Sequence, residues 1–348
     1  MARTCFVHIG ASKTGTSALQ RGLFDSVEQL AEQSVGVPFV GRRPHVDRLL
    51  RPLGWRTARG FAADPNPARL RPAGTALKRT AGERLLVTCE DMCEADTHRI
   101  ELWAELFDAQ GLQPRVVLSV RNLASVIPSE WQQFLKHRLP LAYPDFLERV
   151  REHDGRWADH FWQRQDAIAI CRRWGDVIGL DNIDVVVTPP RSRDPHALYG
   201  LFGQVIGFDP DRLAWPERDV NASWGYVEAE VYRRVNLTLG DRLPHYEKAY
   251  QPTVRWPFVK GVLPRRASAR IPLPPEHLSW VVEVAEQQVE WLSTHVRVHG
   301  EVADLVPGAD AAAPLPELSE ADVADAAVET LANFAVQTYR ELRRPRAR

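Results

Sequence analysis

The feature that most constrains the fold is a set of short, continuously apolar segments separated by residues with helical periodicity. Strands of this kind lack apolar–polar alternation because both of their faces are covered, as in parallel sheets flanked by helices. The segments are TCFVHIG at 4–10, RLLVTC at 84–89, RVVLSV at 115–120 and NIDVVVT at 182–188. We therefore predict an α/β fold of three layers, with a central parallel sheet flanked by helices and a helical C-terminal part.

The chain length and composition predict one large domain followed by a tail. A chain of 348 residues holds one elaborated α/β domain, which we place at 1–308, and the low-complexity stretch 309–318 is typical of a linker. The stretch 37–82 is rich in Arg, Pro and Gly and shows little periodicity, which predicts long loops or a lid.

Residues 319–348 are predicted to form a C-terminal amphipathic helix. Ser319, with Asp322 three residues later, is typical of a helix N-cap. The apolar positions that follow are expected to form one stripe, which comprises Val323, Val328, Leu331, Phe334, Tyr339 and Leu342. Because such a stripe must be buried on the chain's own body or on a partner, the helix is a candidate surface for homo-oligomerisation.

Charge and hydropathy argue against several classes of function. With 44 Lys and Arg against 45 Asp and Glu, the chain has no global field to attract nucleic acid, so any anion site must be local. No stretch approaches the ~20 apolar residues of a membrane-spanning helix. The opening MARTCFVHIG also lacks the features of a secretory signal, so we expect a cytoplasmic protein.

The cysteines give no pattern of metal ligation. Cys5, Cys89, Cys93 and Cys171 are scattered, with no CxxC pair and no nearby histidine at zinc-finger spacing. We expect them to be reduced and mostly buried. A site on Cys89 and Cys93 would need two further ligands, so we expect no metal site.

The segment FVHIGASKTGTSALQ carries the strongest signal for chemistry. It predicts a strand, a tight polar loop and a helix, with the loop residues Gly10, Lys13, Thr14, Gly15, Thr16 and Ser17. Unpaired N–H groups and the positive end of the helix dipole favour a phosphate at such a helix start, so the loop is P-loop-like. The nucleoside-triphosphate loop GxxxxGK[ST] does not match, because Lys13 precedes the second glycine.

A second motif follows the strand at 115–120. Arg121 stands at the strand end, and Ser129 follows eight residues later, where a helix is predicted. A guanidinium suits a terminal phosphate because it donates two parallel hydrogen bonds, and a hydroxyl at a helix start adds another. Sites in parallel sheets lie beyond the carboxyl ends of the strands, and both segments are predicted to stand at such ends.

Together the two motifs resemble the sulfotransferase superfamily that uses 3′-phosphoadenosine 5′-phosphosulfate (PAPS). HIGASKTGTSALQ is similar to the 5′-phosphosulfate loop of bacterial and heparan-type members, and RNLASVIPSEWQQFLKHR resembles the 3′-phosphate element. The resemblance covers about residues 4–190. It implies a PAPS-dependent sulfotransferase that transfers the sulfuryl group to a hydroxyl or amine of a small-molecule or glycan acceptor, without a metal.

The resemblance also assigns roles to single residues. It implies donor binding by Lys13, Thr14, Gly15, Thr16 and Ser17 at the 5′ side and by Arg121 and Ser129 at the 3′-phosphate. FVKG at 258–261 is expected to supply Lys260 and Gly261 as a loop that closes over the 3′-phosphate. The segment around Asn221 and Ser223 is similar to a bacterial-family segment, although helix capping explains these two residues equally well.

Sulfuryl transfer requires stabilisation of the leaving phosphate and a base for the acceptor's proton. Lys13 is predicted to meet the first need. For the base we rank Glu90 first, in CEDM just past the strand at 84–89. His45 ranks second, because heparan-type members carry their base in the region after the first helix. Trp131, Phe134, Lys136 and His137 are candidates to face the acceptor, although core packing explains the aromatic residues equally well.

Two other functions are compatible with these residues. One is a nucleotide or small-molecule kinase-like transferase that uses the same loop with another donor, and the other is a catalytically inactive nucleotide-binding module.

Overall fold

The structure is a computed structural model that describes residues 3–190, 196–215, 224–264 and 269–343. The strands are β1 Arg3–Gly10, β2 Val35–Gly36, β3 Trp55–Arg56, β4 Gly60–Phe61, β5 Arg84–Thr88, β6 Leu112–Val120, β7 Ile183–Val187 and β8 Arg297–His299. The α-helices are α1 Thr16–Asp25, α2 Val27–Glu32, α3 Arg42–His45, α4 Arg71–Arg79, α5 Thr97–Asp108, α6 Leu123–Leu135, α7 Tyr143–Glu152, α8 Gly155–Gln165, α9 Ala167–Ile178, α10 Ala197–Ile206, α11 Tyr226–Leu239, α12 Leu278–His295 and α13 Glu320–Leu342.

The chain divides into two compact units. The first comprises Met1–Val126, Asp159–Asn221 and Ser279–Gly308, and the second comprises Ile127–Ala158, Ala222–Leu278 and Ala309–Arg348. None of the helices in the described ranges combines the length and the apolar content needed to cross a lipid bilayer.

The first unit is built on a parallel sheet of six described strands in the order β2-β5-β1-β6-β7-β8. Successive strand residues alternate between two apolar clusters. Val7 and Val87 pack on one face with α5 and α9, whereas Phe6 and Leu86 pack on the other with α1 and α10. Both faces are therefore covered, which explains why the strands read as continuous apolar runs and confirms the predicted three-layer α/β fold.

The stretch 37–82 is packed rather than loop-like. It holds a π-helical turn at Val46–Leu50, the β3–β4 hairpin and α4, and it buries Leu49, Leu53 and Trp55 in the core. Short elements of different type follow one another here, so no single period extends far enough to be read from the sequence. The expectation of long loops or a lid is therefore not met.

The apolar residues between 156 and 175 repeat at helical spacing, but they belong to two helices, α8 and α9. Asp166 accepts a hydrogen bond of 2.9 Å from the N–H of Ala169, and this N-cap ends α8 and begins α9. Capping of this kind starts a helix because it satisfies an N–H group that has no partner within the helix.

The second unit has an aromatic core. Trp131 packs against Tyr143 with ring centroids 5.3 Å apart, and Phe134 packs against Phe146 at 5.8 Å. The side chains of Trp131 and Phe134 are buried, so they serve this core and present no surface to an acceptor. Lys136, a polar candidate to face the acceptor, lies over the Trp224 ring, with its Nζ 5.0 Å from the ring centroid.

Helix α13 has two apolar faces instead of the one expected stripe. Ser319 caps it by accepting from the N–H of Asp322, as predicted. Val323 is buried with Ala326 and Thr330 on the inner face and Phe334 is half-buried, whereas the other large apolar positions are exposed, namely Val328, Leu331, Val336, Tyr339 and Leu342.

Candidate functional site

The loop between β1 and α1 has the tight geometry that its glycines allow. Gly10 and Gly15 take φ values of 104° and 84°, and Lys13 also lies in the left-handed region with φ 64°. A Cβ at Gly10 would lie 2.8 Å from the carbonyl oxygen of Glu90, so only glycine permits this approach of the loop to the end of β5.

Neighbouring strand ends hold the backbone of this loop. The N–H of Ala11 donates to the carbonyl of Ser119 at 2.6 Å. Arg121 Nη1 donates to the carbonyl of Lys13 at 3.3 Å, and the hydroxyl of Thr188 donates to the carbonyl of Thr14 at 3.1 Å. The ends of β6 and β7 therefore fix the loop from one side. Thr188 was missed by the sequence reasoning, because no motif marks a threonine just past a strand.

A buried histidine lies beneath the loop. His8 is fully buried, with Nδ1 2.7 Å from Oγ1 of Thr88 and Nε2 3.2 Å from Oγ of Ser119. Gln20 donates to the same Thr88 hydroxyl at 3.1 Å. Burial lowers the pKa of His8 to about 3, so the ring is neutral at physiological pH.

These hydrogen bonds continue through Ser119 and Thr14 to the carbonyl of Ala11, and we call the series the relay. The direction of each bond in the relay follows from its last member. The Thr14 hydroxyl donates to the carbonyl of Ala11 at 2.8 Å, because a carbonyl can only accept. Thr14 must then accept a hydrogen bond from the Ser119 hydroxyl, 2.8 Å away. Ser119 has no second proton, so it cannot also donate to His8. His8 Nε2 therefore donates to Ser119, and His8 Nδ1 accepts from Thr88. The relay is satisfied only by the neutral Nε2–H tautomer of His8.

The predicted donor-binding residues of the loop differ in what they offer. The Thr14 side chain is buried in the relay, so this residue has only its backbone to give a ligand. Gly15 and Ser17 are exposed, and Lys13 is partly exposed. Helix α1 begins without a side-chain cap and without an acidic residue in its first turn. No acidic side chain of α1 therefore neutralises the positive end of the helix dipole, which favours an anion at this N-terminus.

Glu90, the first-ranked base, lies at this loop. It follows the end of β5 and its Oε2 accepts a hydrogen bond of 2.7 Å from the hydroxyl of Thr16. Its Oε1 is 3.9 Å from Arg42, and 18% of the side chain is exposed. The structure thus brings Glu90 and Thr16 together at the start of α1, with the carboxylate reachable from solvent.

An ion network lies next to Glu90, and all of its members except Arg42 are buried. Asp91 accepts from Arg42 at 2.7 Å and from Arg164 at 3.3 Å, and Arg164 also pairs with Glu94. Burial alone would raise the pKa of Asp91, but attraction to Arg42 and Arg164 outweighs it and holds the pKa below its usual value. Asp91 is therefore an ionised structural partner.

Helix α8 connects this network to the loop. Nε of Arg164 donates to the hydroxyl of Ser12 at 3.2 Å, and Gln165 donates to the carbonyl of Ser12 at 3.2 Å. Sequence reasoning missed Arg164, which lies about 150 residues from the loop and belongs to no recognised motif.

His45, the second-ranked base, is buried with both ring nitrogens bonded to backbone. Nδ1 lies 2.9 Å from the carbonyl of Gly41, and Nε2 accepts from the N–H of Thr88 at 3.2 Å. Burial lowers the pKa of His45 to about 4. The neutral ring links α3 to β5. Both of its nitrogens are occupied by backbone groups, so in this arrangement neither is directed at an acceptor substrate.

The other predicted donor-binding residues are spread over both units. Arg121 lies at the end of β6 in the first unit. Ser129 lies in α6 within the second unit, as do Lys260 and Gly261, which stand in a π-helical segment at Phe258–Val262 with φ 117° at Gly261. Asn221 and Ser223 lie outside the described residues. The roles of these residues remain predictions from the sequence.

All four cysteines are free and buried, as expected. Burial raises the pKa of the Cys5, Cys93 and Cys171 thiols to about 12 and that of Cys89 well above its usual value. Within the described ranges, no three His, Cys, Asp or Glu side chains are grouped to hold a metal ion.

Comparison with solved structures finds a similarity to a sulfotransferase from Alicyclobacillus acidocaldarius. The two chains are 17% identical, the match covers 70% of this chain and 96% of that one, and the TM-score is 0.43. No family model and no curated protein matches the chain.

Proposed function

We propose that the chain is a PAPS-dependent sulfotransferase that transfers a sulfuryl group to a hydroxyl or amine of a small-molecule or glycan acceptor. The observation that carries the proposal is the hydrogen bond from Arg121 to the carbonyl of Lys13. It joins the two motifs that resemble the donor-binding elements of this superfamily, and it concentrates two cationic residues at one loop of a chain whose net charge is −1.

The residues present fit the 5′ side of such a donor. A phosphosulfate is anionic, and it meets the N-terminus of α1, the ammonium of Lys13 and the exposed hydroxyl of Ser17. Thr14 contributes through its backbone, since its hydroxyl is held in the relay with Ser119 and Ala11.

The 3′-phosphate distinguishes this donor from other adenine nucleotides. We assign Arg121 of the first unit to the 3′-phosphate, because a guanidinium can donate two hydrogen bonds to one phosphate. The resemblance to the sulfotransferase superfamily implies that Ser129, Lys260 and Gly261 also bind the 3′-phosphate.

Glu90 is the proposed base. It accepts the proton of the acceptor hydroxyl or amine while the acceptor atom forms its bond to sulfur and the bond from sulfur to the phosphate oxygen breaks. Lys13 stabilises the negative charge that grows on that phosphate oxygen. In the ground state the carboxylate is oriented by Thr16, so its position next to the loop is fixed before any substrate arrives.

Incubating the protein with labelled PAPS and a library of alcohols, phenols, amines and glycans tests the proposal. We expect a labelled, sulfated product and 3′-phosphoadenosine 5′-phosphate. Transfer of phosphate from ATP to the same library would instead identify a kinase-like transferase. Binding of 3′-phosphoadenosine 5′-phosphate without turnover on any acceptor would favour the inactive module.

A further inference from the structure

Helix α13 carries an apolar seam that faces away from the unit to which the helix belongs. Its inner face is fixed by buried Val323, Ala326 and Thr330 and by Asn333, which donates to the carbonyl of Val262 at 3.2 Å. Arg234 of α11 also pairs with Glu320 at 2.6 Å. With the inner face anchored in this way, the opposite face cannot turn inward.

The outer positions repeat at alternating spacings of four and three residues. We call them the outer seam, and they are Ala324, Val328, Leu331, Ala335, Thr338 and Leu342. All six are exposed, with Leu331 at 70% and Leu342 at 81%. This spacing is the 3.5-residue period of a helix that packs lengthwise against another helix, and it continues from Ala324 to the end of α13 at Leu342.

We propose that the outer seam pairs with the same seam of a second copy of this chain, with the two helices antiparallel. A register centred on Asn333 sets Ala324 against the partner's Leu342 and Leu331 against the partner's Ala335. Each of these layers joins a large side chain to a small one, so the two surfaces interdigitate. Val328 then meets the partner's Thr338 between them.

Charge selects the antiparallel orientation. The first half of the helix carries only acidic charges, at Glu320, Asp322, Asp325 and Glu329. The end of the helix is mainly basic, with Arg340 and Arg343 against Glu341. Antiparallel pairing sets the acidic half of one copy beside the basic end of the other and also opposes the helix dipoles, whereas parallel pairing would set like charges together.

Sedimentation of the full chain at concentrations up to about 100 µM tests the pairing. We expect a reversible dimer, and we expect Leu331→Asp to weaken it at least about tenfold because the carboxylate would be buried in the seam. Val336→Asp is the matched control: Val336 is also exposed on α13, at 48%, but lies off the seam, so its dimer should persist. Equal thermal unfolding of both variants would show that the helix remains folded.

Disulfide trapping tests the orientation, and the buried native cysteines do not interfere. Ala324→Cys mixed with Leu342→Cys should yield a cross-linked heterodimer, whereas Ala324→Cys alone should not cross-link. In the antiparallel pair two copies of position 324 lie about 27 Å apart at 1.5 Å per residue, far beyond the Cα separation of a disulfide. A wild-type monomer at every concentration, a dimer unaffected by Leu331→Asp, or self-cross-linking of Ala324→Cys would overturn the proposal.

Discussion

Thr16 and Glu90, which are 74 residues apart in the sequence, are joined by a hydrogen bond of 2.7 Å from the threonine hydroxyl to the carboxylate. The bond connects the first residue of α1 to the residue two positions past the end of β5. The hydroxyl has one proton, so it cannot donate to Glu90 and to a phosphate oxygen at the same time. An anion bound at the loop and the proposed base therefore compete for one donor.

Glu90→Gln should separate catalysis from binding. If Glu90 takes the acceptor's proton, the amide cannot replace it, and we expect kcat to fall by about 10² to 10⁴-fold. The affinity for 3′-phosphoadenosine 5′-phosphate, measured by calorimetry, should stay close to that of the wild type. Glu83→Gln, at an exposed glutamate near the other end of β5, is the control. Unchanged kcat in Glu90→Gln would show that another group is the base.

Arg121→Ala should remove the preference for a 3′-phosphate. With wild-type protein we expect 3′-phosphoadenosine 5′-phosphate to raise Tm more than AMP does, since a ligand at 100 times its Kd adds about 2.7 kcal/mol of stability. In the variant the two nucleotides should give similar shifts. Arg79→Ala, at an exposed position at the end of α4, is the control and should keep the difference between the two Tm shifts. Equal shifts with wild-type protein would contradict the assignment of Arg121.

Lys13→Ala should cost more in rate than in affinity. The backbone of the loop and the start of α1 remain available to bind the phosphate, whereas the charge that grows on the leaving oxygen loses its cation. Removing such a donor costs about 10² to 10³-fold in rate, or about 3 to 4 kcal/mol. Single-turnover rates measured beside the Kd of 3′-phosphoadenosine 5′-phosphate distinguish the two effects, with exposed Lys78→Ala as the control. A loss confined to Kd would make Lys13 a binding residue.

Stability should fall as the pH drops from about 6.5 towards 3, and His8 should account for part of that slope. The unfolded chain binds a proton at this histidine near its usual pKa of 6.5, but the folded chain keeps it neutral down to about 3. Because the unfolded state then binds more protons, stability rises with pH across this window.

His8→Gln removes this titration. It should lessen the pH slope of the unfolding free energy by up to about 1.4 kcal/mol per pH unit, as measured by urea unfolding between pH 4 and 6.5. His98→Gln, at an exposed histidine of α5, is the comparison and should leave the slope near that of the wild type. If both variants give the wild-type slope, His8 is not held neutral in the folded state.

The sheet and the loop could be predicted from the sequence because their signals are local. A continuous apolar run followed by helical periodicity identifies β1, β5, β6 and β7, and the glycines and hydroxyls of the loop stand together in the chain. The contacts that fix the loop were beyond this reasoning. Thr188 and Arg164 reach it from more than 150 residues away, and the engagement of both His45 nitrogens depends on backbone groups at Gly41 and Thr88.

The faces of α13 illustrate a second limit. Val323 and Leu331 are both apolar and both lie at helical spacing, yet one is buried and the other is 70% exposed. Periodicity shows that a helix has apolar positions, but only its neighbours, here α11 and the segment Phe258–Val262, decide which of them turn inward.

The carbonyls of Lys13 and Thr14 are held by Arg121 and Thr188, and this arrangement has a consequence for the order in which the protein matures. During synthesis the loop leaves the ribosome before the strands that give it its shape, which emerge more than 100 residues later. We expect an isolated fragment that ends at residue 110 to hold every residue of the loop and still lack the frame that orients them. Anion binding should therefore appear only after β6 and β7 have joined the sheet, which makes nucleotide affinity a late marker of successful folding.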